Sequence, residues 1–182
     1  MESSDKVKAI YNVTDTHIYG FFNEYRYLSN FHLHSIEYEG ILYPSNENAY
    51  QAAKIDYQGH MQQKYQRMKF AELTPSQAKS AGRSVSLRED WLQKIPNDQI
   101  VFDTSGVLIE QVRDKIMYDL NEIKFSNPHL RNLLLSTEDK YLEETNWWRD
   151  DYWGVHNGKG LNKLGRILMK IRDEAKAKKE AA

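Results

Sequence analysis

Apolar and polar positions recur along this chain in short blocks, and the blocks outline more helices than strands. Residues 18–22 are short and aromatic, with Gly20 among them, and read as a strand. Residues 35–43 alternate apolar and polar on either side of Glu39-Gly40, which predicts a small hairpin stopped by Pro44. Ser45 then offers an N-cap to a helix with Glu47, Tyr50, Gln51, Ala53 and Lys54 in its first turns. Glu47 and Gln51, and likewise Tyr50 and Lys54, stand at i,i+4 spacing and so share faces. Thr74-Pro75-Ser76-Gln77 has the form of a capping box and opens a short helix that ends at Gly82. Residues 95–106 contain Pro96, Asn97, Asp98 and Gly106 and read as an irregular connection; residues 107–123 restore a helical period through Leu108, Val112, Ile116 and Leu120. Asn127-Pro128 starts another helix that stops near Ser136, and residues 141–143 read as a strand. The last helix places Leu161, Leu164, Ile167, Leu168 and Ile171 on one stripe.

Because the strands are few and do not alternate regularly with the helices, the expected class is α+β: a single, mostly helical domain with a few short strands. Residues 1–17 read as a loose lead-in, residues 18–176 as the domain, and the polar residues 177–182 as a frayed tail.

Composition narrows the function classes by exclusion. With 182 residues the chain is long enough to bury a core without staples. Its 25 basic residues against 26 acidic ones create no bulk field toward nucleic acid or membrane. The absence of cysteine excludes disulfides, thiolate metal sites and a cysteine nucleophile, and fits a reducing compartment. No apolar run approaches the roughly 20 residues of a membrane span, and the start MESSDKVK lacks a signal peptide's apolar core. The expectation is a soluble cytoplasmic protein without membrane contact.

Several motifs fail. The run GVHNGKG at 154–160 lacks both the Ser/Thr after the lysine and the spacing of a phosphate loop. The six histidines, His32 and His34 among them, show no HExxH pattern and no acid at ligand spacing. No serine sits in a G-x-S-x-G elbow. Neither a metal nor a cofactor is expected.

The residues with chemical promise lie in two places. Glu47 sits in the first turn of its helix, where an acid also simply complements the helix dipole. Asp150 and Asp151 lie in a turn beside Trp147, Trp148 and Trp153, where they also serve as ordinary turn acids. Together the two places supply what glycosidic cleavage requires: one carboxyl to protonate a leaving group, and one carboxylate to support an oxocarbenium-like centre or activate water. Three tryptophans within seven positions offer a stacking surface for a sugar or base. Lys54, Arg83, Lys159 and Arg166 become a clamp if the substrate carries phosphates.

Five blocks go further. FFNEYRYLSNF (21–31), GILYPSNENAYQAAK (40–54), AGRSVSLREDW (81–91), KFSNPHLRNLLLST (124–137) and YLEETNWWRDDYWGVHNGKGLNKLGRILMKIR (141–172) resemble, in order, the NADAR family, also called YbiA-like. That resemblance implies the YbiA-like fold and an N-glycosidase. Some members hydrolyse phosphorylated ribosylamino-pyrimidines of the riboflavin pathway. Others remove ADP-ribose from guanine in DNA or RNA, as antitoxins to ADP-ribosyltransferase toxins. The implied substrate is thus ADP-ribosyl or phosphoribosyl, joined through ribose C1 to an exocyclic amine, and an ADP-ribosyltransferase toxin is the implied functional partner.

Carried over by position, the family's catalytic acid falls on Glu47, its lysine on Lys54, and the aspartate before its Trp-Gly pair on Asp150, with Trp153 and Gly154 as that pair. Asn162, Gly165 and Arg166 match its turn into the last helix. Asn30 and Phe31 close its LSNF block; beyond these matches, Tyr50, Arg83 and Trp148 complete the expected substrate-binding set. The substrate's phosphates are expected at the N-terminus of the last helix, around residues 160–165. Asn48 stands where many members have histidine, Arg149 where many have glycine, and residues 94–109 look like an insertion. A non-catalytic ADP-ribose-binding module is the alternative from another class; it needs the aromatic pocket but not the acids.

Overall fold

The structure, a computed structural model, describes residues 4–56 and 60–181, so residues 1–3 of the expected lead-in and Ala182 of the expected tail lie outside it. Strands are short and helices dominate, an α+β fold. The chain divides into two compact units, one formed by the residues up to Ser29 together with those from Phe125 onward, the other by Asn30–Lys124.

In the first unit, residues 4–17 include α1 (Ser4–Ile10) and β1 (Asn12–Val13), and β1 pairs antiparallel with β2 (His17–Tyr19). The strand expected over 18–22 ends at Tyr19 because Gly20, with φ +71°, turns the chain away.

The second unit opens with the expected hairpin, β3 (Ile36–Tyr38) and β4 (Ile41–Tyr43). Glu39 and Gly40 both have positive φ, as a two-residue turn matched to strand twist requires. α2 (Asn46–Ala53) follows, and every one of its residues is buried. α3 (Met61–Lys69) and α4 (Pro75–Ala81) pack against it, as does the helical turn Phe70–Glu72. At the head of α4 both hydrogen bonds of the capping box form, Gln77 N–H to Thr74 Oγ1 and Thr74 N–H to Gln77 Oε1.

Two expectations fail between 95 and 123. The irregular connection contains β5 (Val101–Asp103), and Leu108, expected on a helix, lies in β6 (Gly106–Ile109), antiparallel to β5. A turn set by Asp103, whose Oδ1 accepts the Ser105 N–H at 2.8 Å, makes this a hairpin and sends Leu108 and Ile109 inward together. The helix, α5 (Val112–Ser126), starts only after it.

Back in the first unit, α6 (Pro128–Leu135) is capped by Asn127, whose Oδ1 accepts from the N–H groups of His129 and Leu130. β7 (Tyr141–Glu143) lies parallel to β2, and β8 (Thr145–Asn146) lies parallel to β9 (Val155–His156). The last helix, α7 (Lys163–Glu180), packs on β7 and α6 through buried Leu164, Ile167, Leu168 and Ile171. Leu161 is not on that stripe: it precedes the helix and is 51% exposed. Toward the C-terminus the helical backbone continues through Glu180.

Candidate active site

The head of α2 is built by its cap. Ser45 Oγ accepts the Asn48 N–H at 3.2 Å and donates to Asn48 Oδ1 at 2.5 Å. Asn48 Nδ2 in turn donates to the carbonyls of Phe70 and Leu73, both at 2.8 Å. Asn48 therefore ties α2 to the segment after α3, with both side-chain polar atoms engaged. Asn48→Ala would leave these partners in the interior without their donor and acceptor, and should cost about 2–4 kcal/mol, read in a denaturant melt.

Glu47 is 6% exposed. Its N–H donates to the Asn30 carbonyl at 3.0 Å, and its Oε1 accepts from Gln51 Nε2 at 2.8 Å. Lys54, two turns along the same face, donates from Nζ to the Gly82 carbonyl at 3.3 Å. Burial holds the Lys54 amine below the ordinary lysine value; the positive charges of Lys79 and Arg83 act in the same direction, and Glu47 opposes them. Among the remaining expected residues of this unit, Tyr50 is buried against Trp91 with ring centroids 5.2 Å apart. Phe31 faces the Lys79 amine at 5.4 Å, and Arg83 is exposed at the end of α4. The second unit thus gathers Glu47, Gln51, Lys54, Lys79 and Arg83 around the junction of α2 and α4. Lys79 is absent from the residues expected on sequence, although its place four residues before Arg83 was the available signal.

The first unit holds the other expected residues. Asn146 is buried and organises their turn: Nδ2 donates to the carbonyls of Asp150 (2.7 Å) and Val155 (3.1 Å), and Oδ1 accepts the Asp150 N–H (3.0 Å). Asp150 Oδ1 accepts the N–H groups of Tyr152 (3.2 Å) and Trp153 (2.9 Å), an Asx-type turn that fixes Trp153. Trp148 is 37% exposed and meets Trp147 edge to face; Trp147 stacks on Phe22.

Gly154 and Gly165 serve close backbone approach. A Cβ on Gly154 would lie 2.3 Å from the Glu144 carbonyl oxygen, and one on Gly165 would lie 2.1 Å from that of Leu142. Asn162 is left-handed, with φ +49°, and caps the approach: Oδ1 accepts the Glu144 N–H at 3.0 Å, and Nδ2 donates to Leu142 O at 2.8 Å.

The open anion cradle expected around residues 160–165 is not present. The N–H groups of Leu161, Asn162, Lys163 and Leu164 donate to the carbonyls of Asp151, Gly154, Tyr152 and Trp153. The turn itself fills the helix N-terminus, and Arg166 follows one turn on, half-buried.

A groove in the second unit runs between α3 and the loop after α4, lined by Ile55, Gln63, Phe70, Val85 and Arg88 among others; Glu47 and Lys54 do not line it. Among the described residues no cluster of three His, Asp or Glu side chains is placed to hold a metal ion, and no helix is long and apolar enough to cross a membrane.

The head of α2 thus presents a buried carboxyl in an α+β fold and, two turns on, a lysine that burial makes easier to deprotonate. A family model described as the NADAR domain matches residues 12–176, and the chain belongs to the NADAR family. It is 29% identical over 176 residues to the N-glycosidase YbiA of Shigella flexneri, covering 94% of each chain. It is 33% identical over 161 residues to the chloroplastic riboflavin biosynthesis protein PYRR of Zea mays, covering 80% of this chain and 23% of that protein. The NMR structure of the Escherichia coli protein YbiA matches with a TM-score of 0.69 at 28% identity, covering 97% of this chain and 95% of that one.

Proposed function

We propose that this protein is an N-glycosidase that hydrolyses the bond between ribose C1 and an exocyclic amine, and that its substrate is ADP-ribosylated guanine in nucleic acid. The observation that carries the reading is the buried Glu47 carboxyl, oriented by Gln51, on one helix face with a lysine whose amine is made easier to deprotonate. Water adds at C1, the amine departs with a proton, and Glu47 is the group that moves that proton. The cations Lys54, Lys79 and Arg83 suit a phosphorylated sugar. In the first unit, Asp150 fixes Trp153 through its turn. A second reading, hydrolysis of a phosphorylated ribosylamino-pyrimidine, is favoured by the relative named as a riboflavin biosynthesis protein. Both substrates share the scissile bond. Separate incubation with each, followed by detection of released ADP-ribose or ribose 5-phosphate, decides between them.

The depressed Lys54 pKa adds a chemical route. An N-ribosylamine opens its ring to an imine; neutral Lys54 adds at C1, the substrate amine leaves, and water then hydrolyses the lysine imine. Because the folded-state pKa lies below the ordinary lysine value, the neutral amine accumulates at lower pH than on an unburied lysine. The rate should therefore rise with pH through that lowered value. Borohydride under turnover should trap an adduct on the protein that disappears in Lys54→Ala. No adduct, or an undiminished one in the variant, would leave direct hydrolysis as the route.

A further inference from the structure

Gln51 is 6% exposed, and its two amide atoms are treated differently by the fold. Nε2 donates to Glu47 Oε1 at 2.8 Å, while Oε1 is sealed from solvent and has no hydrogen-bond partner. A buried carbonyl oxygen without a donor is costly, and it is kept here beside the one buried carboxyl of α2. Gly82 makes the arrangement fit, since a Cβ there would lie 1.8 Å from Oε1 and 2.6 Å from Cδ of Gln51. The end of α4 is thus shaped around this amide.

A carboxyl that transfers protons exists in two states with opposite needs. As carboxylate it accepts hydrogen bonds, and as acid it must also donate one. A primary amide turned by about 180° around its last bond offers a donor in one setting and an acceptor in the other. We propose that Gln51 is the positioning residue for Glu47 in both of its protonation states. Nε2 donates to the carboxylate; once that carboxylate has taken up a proton, the amide turns and Oε1 accepts the new O–H. This rests on the hydrolase reading for its purpose, though not for its geometry.

The charged groups on the elements around α2 are Lys54 at its end, Lys79 of α4 with Arg83 just beyond it, exposed Glu37 of β3, and Lys64, Lys69 and Arg67 of α3, the last paired with Glu39 of the β3–β4 turn. Glu72 lies in the helical turn after α3. Of the acids, Glu39 and Glu72 are exposed on the surface, and Glu47 is the carboxyl that Gln51 touches.

The test has one arm that needs no turnover. In a pH titration followed by NMR, the Gln51 side-chain amide resonances of the intact protein should move with a single midpoint, and that movement should vanish in Glu47→Gln. Resonances that stay flat in the wild type, or that titrate unchanged in Glu47→Gln, would overturn the proposal. In the second arm, Gln51→Met should lower kcat by about 10- to 100-fold, the factor of a hydrogen bond to a charged group. It should also move the acidic limb of the pH–rate profile to higher pH, because the carboxylate loses its donor, while KM stays near the wild-type value. An unaltered rate and limb would count against it. If the amide titrates as expected and no substrate is hydrolysed, the hydrolase reading fails and the positioning role stands.

Discussion

Glu47→Gln is expected to lower the rate of N-glycosidic hydrolysis by about 10²–10⁴-fold, the usual contribution of a positioned acid or base. The replacement is nearly isosteric, and its side-chain carbonyl can still accept from Gln51 Nε2, as Glu47 Oε1 does at 2.8 Å. Its N–H keeps the bond to the Asn30 carbonyl. Melting temperature should therefore stay within a few degrees of the parent while initial rates, measured by product release, collapse. A folded variant with full activity would remove Glu47 from the mechanism.

Gly165→Ala should be strongly destabilising. Its Cβ would lie 2.1 Å from the Leu142 carbonyl oxygen and 2.6 and 2.7 Å from the side-chain oxygen and nitrogen of Asn162. The first is backbone of β7, and the others are the atoms that pin β7 to the head of α7. Nothing at this approach is the loose end of a flexible chain, so β7 and α7 must separate. We expect a loss of roughly 3 kcal/mol, within the range of overpacking, which for a chain of this size lowers Tm by about 10 °C. Gly158→Ala is the control: nothing lies within 4 Å of its Cβ, and only its φ of +73° opposes the change, at about 1–2 kcal/mol. Thermal melts of the two variants side by side should show the larger drop at Gly165, and equal drops would mean that the close approach is not what the glycine serves.

Much of the second unit was legible because its signals are local. Glu39-Gly40, the Ser45 cap and the Thr74–Gln77 box each act within a few residues, and each forms as read. α3 was not anticipated because its pattern is inverted. Met61, Tyr65 and Met68 are exposed, while Arg67 is buried, donating to the Ile55 carbonyl and paired with Glu39. A helix that buries a satisfied guanidinium shows no apolar stripe. Leu108 misled in the opposite way, as a buried apolar residue that fitted a helical period but belongs to a hairpin set by Asp103.

The site divides along similar lines. The shared face of Glu47, Gln51 and Lys54 follows from helix spacing alone. The fit of Gln51 against Gly82 links residues far apart in the chain, and no local rule reveals it. The glycines of the final turn were visible as glycines, but their purpose was not. Gly154 and Gly165 admit carbonyl oxygens, and the helix N-terminus that seemed open to phosphate is closed by four carbonyls of its own turn.

Incubation with an oligonucleotide carrying ADP-ribosylated guanine, with release of ADP-ribose followed in parallel for the parent protein and Glu47→Gln, tests the central claim most directly. The account predicts that the parent releases ADP-ribose and restores unmodified guanine, and that the variant does neither at a comparable rate. Binding of ADP-ribose without hydrolysis of this substrate or of a phosphorylated ribosylamino-pyrimidine would contradict it.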